Sequence, residues 1–259
     1  MKFFITGVNR GLGLSVLRSL LKNPALSNSS NQIIVTGRNK IALQTALAPY
    51  LDSMPLNIDL SLNQFTFSKT SPISHLLAGS SDFDHVFHTA SPFSRTRLID
   101  ASEEEIQSFA DFSAVENSLL IQAAKKLKQG GSLIASGAVI GETVVSYAPS
   151  SHPWHCGLSS LHKAGLSSIL GALAQEYGTK RKIIYANLGT FVERQDNEAK
   201  IAEDEVLDIN SIADKLVELA LSSDVPPNFN VDILSRTEQV TLSALRASKE
   251  KKVEIDPVY

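Results

Sequence analysis

The chain has 259 residues, of which 43% are hydrophobic and 20% are charged, with a formal net charge of −3. This composition supplies enough apolar material for a sizeable core and excludes a mainly disordered state. A net charge so close to neutral gives no electrostatic reason to expect nucleic acid or an anionic membrane as a partner. The single cysteine, Cys156, excludes an intrachain disulfide and fits a reducing compartment, so we expect a cytoplasmic protein.

The N-terminal part of the chain alternates between short apolar runs and segments with helical periodicity. Apolar runs that end at glycine or at polar residues predict buried strands. These strands are expected at 2–6, 33–36, 56–58 and 85–88. Apolar residues at helical spacing predict helices at 12–21, 39–48 and 72–77. Pro49 is expected to follow the second helix, because proline disfavours helix in the residue before it.

The same alternation continues toward the C-terminus. Helices are predicted at 103–129, 159–177 and 210–221, and strands at 132–136, 182–187 and 230–234. Alternating strands and helices predict an α/β fold, with a doubly wound, Rossmann-type parallel sheet of about seven strands flanked by helices. We expect one domain over 1–235, a substrate loop without periodicity at 137–158, and a polar tail at 236–259.

A glycine-rich turn joins the first strand to the first helix, and it reads Thr6-Gly7-Val8-Asn9-Arg10-Gly11-Leu12-Gly13. Glycine there lets a pyrophosphate approach the backbone amides and the helix N-terminus. The pattern Thr-Gly-x-x-x-Gly-x-Gly resembles that of the short-chain dehydrogenases/reductases. The stretches 9–14 and 20–24 are similar to their carbonyl-reductase and sniffer-like branch. The resemblance implies a Rossmann fold, a nicotinamide cofactor and a dimer or tetramer.

The end of the second strand indicates NADP(H) rather than NAD. An acidic side chain at this place accepts a hydrogen bond from the ribose hydroxyl, whereas an arginine accommodates a 2′-phosphate. Here Gly37 occupies the usual acidic place and Arg38 follows it. Arg10, in the glycine-rich turn, is a second guanidinium that could bind the same phosphate. We therefore expect NADP(H) as the cofactor.

The resemblance assigns further cofactor contacts. Asp59 with Leu60 resembles an Asp–hydrophobe pair whose carboxylate meets the adenine amino group. The sequence Thr89-Ala90-Ser91 follows the fourth strand, where relatives have Asn-Ala-Gly. The complete set of expected cofactor residues is Gly7, Asn9, Arg10, Gly11, Leu12, Gly13, Arg38, Asp59, Leu60, Thr89, Ala90, Ser91, Lys163, Gly189, Thr190 and Val192.

The catalytic pattern of the resembled family is only partly kept. In its active members a tyrosine exchanges a proton with the carbonyl oxygen, a lysine four residues later lowers the tyrosine pKa, and a serine holds the carbonyl. Lys163 matches the lysine, but Ser159 stands in the tyrosine position and Ala138 in the serine position. Ser136 lies two residues earlier, and Ser113 stands where relatives have an asparagine. The resemblance therefore implies a degenerate tetrad.

Three alternatives follow from this loss. The first is an NADP(H)-dependent oxidoreductase that acts on a small carbonyl or alcohol substrate with a non-standard acid/base. Its candidate catalytic residues are Lys163, Ser159, Ser136 and His155. The second is an NADP(H)-binding sensor or regulator without turnover, and the third is an isomerase, lyase or cyclase on the same scaffold. We favour the first because Lys163 is kept. No metal site is expected, because no second ligand cluster accompanies His152, His155 and Cys156.

The resemblance also implies self-association. In the family, the two helices on either side of the fifth strand pair across a two-fold axis. Here these are the helices predicted at 103–129 and 159–177. Five large apolar residues of the first exceed what one buried stripe needs: Phe109, Phe112, Leu119, Leu120 and Leu127. We therefore expect a homodimer or tetramer through these helices.

Overall fold

The structure is a computed structural model that describes most of the chain. The described residues are 1–27, 29–51, 54–68, 73–77, 82–92, 94, 96, 98–137, 157–189, 191–192, 207–224 and 229–234. Most of the predicted substrate loop, residues 138–156, and the predicted tail lie outside them.

Seven parallel strands form one sheet, and a two-stranded parallel ribbon lies apart from it. The sheet order is β3-β2-β1-β4-β5-β6-β9, so the order of the strands reverses between β1 and β4. The strands of the sheet are β1 (Lys2–Thr6), β2 (Asn31–Gly37), β3 (Ile58–Gln64), β4 (Phe83–His88), β5 (Leu127–Ser136), β6 (Lys182–Leu188) and β9 (Asn230–Ile233). The ribbon consists of β7 (Phe191–Val192) and β8 (Leu207–Asp208). The predicted doubly wound sheet is confirmed.

Helices cover both faces of the sheet. They are α1 (Gly11–Lys22), α2 (Lys40–Leu51), α3 (Ile73–Leu77), α4 (Glu103–Lys125), α5 (Gly157–Tyr177) and α6 (Ile209–Leu221). Apolar side chains of α1, α2 and α6 form one core with the sheet, and those of α3, α4 and α5 form a second core on the other face. Strand residues such as Phe3 and Phe4 point alternately into the two cores, which explains why β1 is apolar throughout.

Two boundaries predicted for elements that pack in the second core are wrong: the end of the helix at 129 and the start of the next strand at 132. Helix α4 ends at Lys125, and Leu127 opens β5, where it pairs with Phe83 of β4. Burial of Leu127 in the sheet outweighs the helical periodicity that predicted a helix to 129. Gly130, at φ +77°, lies where the register of β4 and β5 shifts, so a left-handed residue marks a bulge rather than a helix end.

Two more predicted boundaries differ in the N-terminal half. Strand β3 begins at Ile58, where the predicted strand 56–58 was expected to end, and Leu56 is fully exposed in the preceding turn. Helix α2 continues to Leu51 and therefore contains Pro49, which was expected to lie beyond it. Pro49 lies in the last turn, where its missing N–H removes the hydrogen bond to the Thr45 carbonyl and only two helical residues follow it.

Among the described residues, no helix is both long enough and apolar enough to cross a membrane.

Candidate cofactor and proton-transfer site

The candidate site lies at the carboxyl edge of the sheet, where the strand order reverses. In open α/β sheets, ligands bind at this edge. They lie just beyond the ends of the strands on either side of the reversal. Here β1 ends at Thr6, β2 at Gly37, β4 at His88, β5 at Ser136 and β6 at Leu188. The sequence-predicted site residues that follow these strands are therefore brought to one edge.

The three glycines of the turn between β1 and α1 have different structural reasons. A Cβ on Gly7 would lie 2.8 Å from the Ala90 nitrogen, and one on Gly13 would lie 2.5 Å from the Gly7 oxygen. These two glycines therefore allow the chain to pack closely on itself. Gly11 has φ +62° and nothing within 4 Å of a Cβ position, so only Gly11 borders open space. That all three glycines serve a pyrophosphate stays a prediction, and Gly11 is the one of the three with open space at its Cβ position.

The N-terminus of α1 suits a phosphate group. Arg10 precedes the helix, but its side chain makes no capping hydrogen bond, and the first turn contains no acidic residue. The first N–H groups of a helix need acceptors, and the helix dipole favours an anion there. Together with the open space at Gly11, these features fit the pyrophosphate of a dinucleotide.

The end of β2 holds no acidic ligand for a ribose hydroxyl. A Cβ on Gly37 would lie 1.9 Å from Asn9 Oδ1, so the Asn9 side chain occupies the space that an acidic residue would need. Asn9 Nδ2 donates a 2.9 Å hydrogen bond to the carbonyl of Asn39, which holds it there. Arg10 and Arg38 are exposed at the same edge. The site therefore offers guanidinium groups and no carboxylate at this position.

Asp59 and Leu60 do not belong to this edge, contrary to the prediction. Asp59 is the second residue of β3 and pairs with Gln32, whose side-chain amide donates to it at 3.1 Å. Gly37 pairs instead with Gln64 at the far end of β3. Five residue-to-residue steps along the extended strand separate Asp59 from Gln64, about 16 Å at the usual rise. The error follows from the misplaced strand, since β3 begins where it was expected to end.

The residues after β4 bind to the end of β1. Thr89 Oγ1 donates to the Thr6 carbonyl, and the backbone N–H groups of Thr89 and Ala90 donate to Thr6 Oγ1 at 3.2 and 3.4 Å. Ser91 donates through Oγ to the Pro92 carbonyl at 3.0 Å. Thr89 and Ala90 thus lie beside Gly7 at the candidate site, and the exposed Ser91 lies next to them.

Lys163 is the buried cation of the site. Its Nζ donates a 2.7 Å hydrogen bond to the carbonyl of Ser136, the last residue of β5. Burial lowers the pKa of the Lys163 ammonium to about 8, although the negative charge of Glu116 acts in the opposite direction. An ammonium has three donors, and the described residues supply a partner for one of them. Lys163 can therefore hold, and give up, a proton near neutral pH.

The other candidate catalytic residues are less available. Ser159 Oγ accepts from the Ser94 nitrogen at 3.0 Å and donates to the Ser94 carbonyl at 3.3 Å, so its hydroxyl proton is already bonded. Ser113 Oγ donates to the carbonyl of Phe109 within its own helix. Gly189 donates its N–H to Ile233 of β9. Ala138, His155, Thr190 and the side chain of Val192 lie outside the described residues.

Three buried polar side chains near Lys163 were not predicted. Glu116 of α4 lies between His88, at the end of β4, and His162 of α5, with hydrogen bonds of 2.6 and 2.7 Å. A sequence signal existed, because Glu116 follows Val115 within the stripe of α4 that faces the core. A carboxylate in such a stripe requires a buried partner. No group of potential ligands among the described residues could hold a metal ion.

Comparisons with known proteins identify the fold. No protein-family model and no curated protein matches the sequence. An alcohol dehydrogenase from the archaeon Thermococcus sibiricus, complexed with 5-hydroxy-NADP, has a TM-score of 0.68 at 16% identity over 90% of this chain and 96% of its own. A short chain dehydrogenase from Burkholderia cenocepacia, in complex with NADP, has a TM-score of 0.67 at 16% identity over 90% and 94%. BdcA in complex with NADPH has a TM-score of 0.70 at 13% identity over 91% and 93%.

These likenesses define an α/β protein with a dinucleotide-binding type of sheet. More particularly, the chain has the fold of the short-chain dehydrogenases/reductases over nearly its whole length.

Proposed function

We propose that the protein is an NADP(H)-dependent oxidoreductase of the short-chain dehydrogenase type, acting on a small carbonyl or alcohol substrate with an acid/base other than tyrosine. The observation that carries the proposal is Lys163, a buried ammonium bonded to Ser136 at the carboxyl edge that also contains the glycine-rich turn. The three solved neighbours, which hold NADP-type cofactors, support the choice of cofactor.

The chain's own residues account for cofactor binding and orientation. The N-terminus of α1 and Gly11 would hold the pyrophosphate, and Arg10 and Arg38 the 2′-phosphate. Lys163 would donate to the nicotinamide ribose and present its charge to the reacting oxygen. The nicotinamide supplies or accepts the hydride when it is bound.

Lys163 is also the best-placed proton donor among the candidates. A catalytic acid works best when its pKa is close to the working pH, and the pKa of Lys163 is lowered by burial to about 8. Ser159 is a poor donor, because an aliphatic hydroxyl has a pKa well above that of a phenol and its proton is bonded to Ser94. In the reductive direction Lys163 would protonate the carbonyl oxygen and become a neutral amine.

The first experiment measures cofactor binding by fluorescence titration with NADPH and NADH. We expect NADPH to bind more tightly. Arg38→Gln should weaken NADPH binding by about ten- to a hundredfold, because one charge-assisted hydrogen bond contributes about 1.5–3 kcal/mol. It should leave NADH binding unchanged. Lys215→Gln removes an exposed cation on α6 and is the matched control. Equal affinity for the two cofactors, or failure of both to bind, refutes the assignment.

The second experiment follows NADPH absorbance with a panel of aldehydes, ketones and quinones. We expect turnover that Lys163→Met abolishes and that Ser159→Ala retains, since Ser159 is bonded to a backbone segment. Turnover lost in Ser159→Ala and retained in Lys163→Met would reverse the assignment of the acid. NADPH binding without turnover on any carbonyl would contradict the oxidoreductase assignment while leaving the cofactor site intact.

We also propose a cytoplasmic homodimer or tetramer through α4 and α5. The structure revises the apolar residues that argue for it: Leu119 and Leu120 are buried in the core, and Leu127 belongs to β5. Ile106 of α4 and Leu161 of α5 are large apolar residues that are exposed on these two helices. Light scattering should give a mass of twice 28.0 kDa or more, and a monomer mass would contradict the proposal.

A further inference from the structure

A continuous hydrogen-bonded chain of side chains crosses the interior beside Lys163. Thr6 Oγ1 lies 2.9 Å from His88 Nδ1, His88 Nε2 lies 2.6 Å from Glu116 Oε1, and Glu116 Oε2 lies 2.7 Å from His162 Nε2. The Glu116 and His162 side chains are each 1% exposed, and that of His88 is 0% exposed. The chain connects the end of β1 to α5, one residue before Lys163. We call His88, Glu116 and His162 the imidazole–carboxylate cluster.

The hydrogen-bond partners of His88 indicate which of its ring nitrogens donates and which accepts. Burial alone would raise the pKa of Glu116, but the hydrogen bonds from His162 and His88 outweigh it and lower the pKa to about 2. Glu116 is therefore ionised and accepts from Nε2–H of both imidazoles. Thr6 Oγ1 already accepts from two backbone N–H groups, so its own hydroxyl proton donates to His88 Nδ1. In this arrangement Nδ1 of His88 accepts from Thr6, and its Nε2–H donates to Glu116.

His162 differs from His88 at one atom. Its Nδ1 is buried and has no hydrogen-bond partner among the described residues. The rings of Phe109 and Phe112 contact the His162 imidazole edge-on, with centroids 6.5 and 5.5 Å away, and neither ring offers a strong acceptor. Nδ1 of His162 is therefore the one nitrogen of the cluster that can gain or lose a proton without breaking a hydrogen bond.

Charged and titratable groups reach His162 from each element packed against it. Glu116 comes from α4, His88 lies behind Glu116 on β4, and Lys163 follows on α5 itself. Tyr185 of β6 donates its hydroxyl to the Lys163 carbonyl at 3.3 Å. The charge of Glu116 acts on Lys163, because it raises the pKa that burial lowers. A proton on His162 would compensate that charge and so favour release of the Lys163 proton.

We propose that the imidazole–carboxylate cluster is a buried proton-holding unit that controls the charge of Lys163, with Nδ1 of His162 as the atom that takes up and releases the proton. With His162 neutral, the cluster carries one negative charge and Lys163 keeps its ammonium. When His162 gains a proton the cluster becomes neutral, and Lys163 releases its proton more readily. His162 and Glu116 are thus positioning residues for the reaction proposed above, on which this role rests.

The same arrangement has a general chemical precedent in carboxylate–imidazole pairs. A buried carboxylate at one imidazole nitrogen orients the ring and stabilises the imidazolium that forms when the other nitrogen takes a proton. Glu116 and His162 have this geometry, with Nδ1 as the open nitrogen. A role confined to packing α4 against α5 would give no reason for a buried nitrogen that lacks a partner in the described part of the chain, because apolar side chains could fill that space.

The first test needs no cofactor and no turnover. The protein labelled with ¹⁵N-histidine is followed by two-bond ¹H–¹⁵N correlation spectra between pH 5 and 9, with resonances assigned from single His→Gln variants. We expect any proton gained on acidification to appear at Nδ1 of His162, while Nδ1 of His88 stays the acceptor of the Thr6 hydroxyl. His85, which is bonded to Ser132 and has its pKa lowered by burial to about 4, should stay neutral and serves as an internal reference. A His162 that keeps one protonation state throughout overturns the proposal.

The second test measures NADPH affinity against pH by fluorescence. In the wild type we expect the affinity to fall on the alkaline side as Lys163 loses its proton. Glu116→Gln, which keeps the side-chain volume, should move this alkaline limb down by about one pH unit, a tenfold change in the proton affinity of Lys163. His162→Gln keeps a donor toward Glu116 and deletes Nδ1. It should leave the alkaline limb in place.

The controls separate this proposal from the proposed function. His85→Asn, a buried histidine substitution on β4 outside the cluster, should leave the whole pH profile unchanged. An alkaline limb that stays in place in Glu116→Gln overturns the coupling to Lys163. If the wild type binds no NADPH at any pH, the proposed function falls, and the histidine spectra alone then decide whether the cluster exchanges a proton. Spectra in which His162 titrates, together with a shifted limb in Glu116→Gln, support the proposal.

Discussion

Alanine substitutions at Gly11, Gly13 and Gly165 test three separate effects on the free energy of unfolding. These effects are backbone conformation, close packing and helix propensity. Gly165 lies in α5 with an exposed backbone and nothing within 4 Å of a Cβ position, so Gly165→Ala should stabilise the fold by up to about 1 kcal/mol. Gly11 is equally open but has φ +62°, so Gly11→Ala should cost about 1–2 kcal/mol through its left-handed conformation alone.

Gly13→Ala introduces an overlap that the surrounding structure cannot easily relieve. Its Cβ would lie 2.5 Å from the Gly7 oxygen and 2.5 Å from Thr89 Oγ1. The first is backbone, and the second is held by its hydrogen bond to the Thr6 carbonyl. Overpacking of this kind costs about 1–3 kcal/mol, more than the gain in helix propensity returns. Gly13→Ala should therefore be destabilised although it lies in a helix.

Urea denaturation followed by circular dichroism measures the free energy of unfolding of the three variants. The expected order of stability is Gly165→Ala above the wild type, and Gly11→Ala and Gly13→Ala below it, with a common m-value. NADPH binding should be weakened in Gly11→Ala, because the added methyl group enters the open space at the turn. If Gly13→Ala is as stable as Gly165→Ala, the close approach of the turn to the chain after β4 is wrong.

Two further predictions concern stability away from the site. Ser102→Ala should lose about 1 kcal/mol of unfolding free energy in urea, because Ser102 and Glu105 form a capping box at the start of α4. Ser108→Ala, in the exposed interior of the same helix, is the control and should lose nothing. Burial lowers the pKa of His85 to about 4, below its unfolded value of 6.5, so stability should decrease as the pH falls from about 6.5 to 4. The unfolding free energy should decrease by at most about 1.4 kcal/mol per pH unit over this range. If burial of His85 is the cause, His85→Asn should not show this decrease.

The fold could be predicted because its signals are local. Each apolar run of the sheet, such as Lys2–Thr6, is buried on both faces, and each ends where a glycine or polar residue begins a turn. The predictions failed where pairing between distant segments overrides local periodicity. Leu127 looks helical in sequence but pairs with Phe83, and the polar strand Ile58–Gln64 is held by its ladder with β2 rather than by apolar content.

The candidate site was predicted in part for the same reason. Gly11, Arg38 and Lys163 belong to short motifs whose spacing survives in the sequence, so their positions at the carboxyl edge could be expected. Glu116 and His162 belong to no such motif. They are 46 residues apart, and only the packing of α4 on α5 brings them together. Asn9 belongs to the glycine-rich turn, but the contact of its side chain with the space beside Gly37 depends on the fold and could not be predicted.

The imidazole–carboxylate cluster carries a desolvation penalty that a role in stability alone does not explain. Burying a carboxylate carries a desolvation penalty of several kcal/mol, which hydrogen bonds from two imidazoles offset but seldom exceed. Burial of Lys163 adds to the cost, because its lowered pKa means that the folded state disfavours the ammonium near neutral pH. Well-packed apolar side chains at these positions would avoid both penalties. Sites that accept such costs are commonly those where charge is needed for chemistry, and here the buried carboxylate and the buried ammonium lie next to each other through His162 and Lys163 of α5.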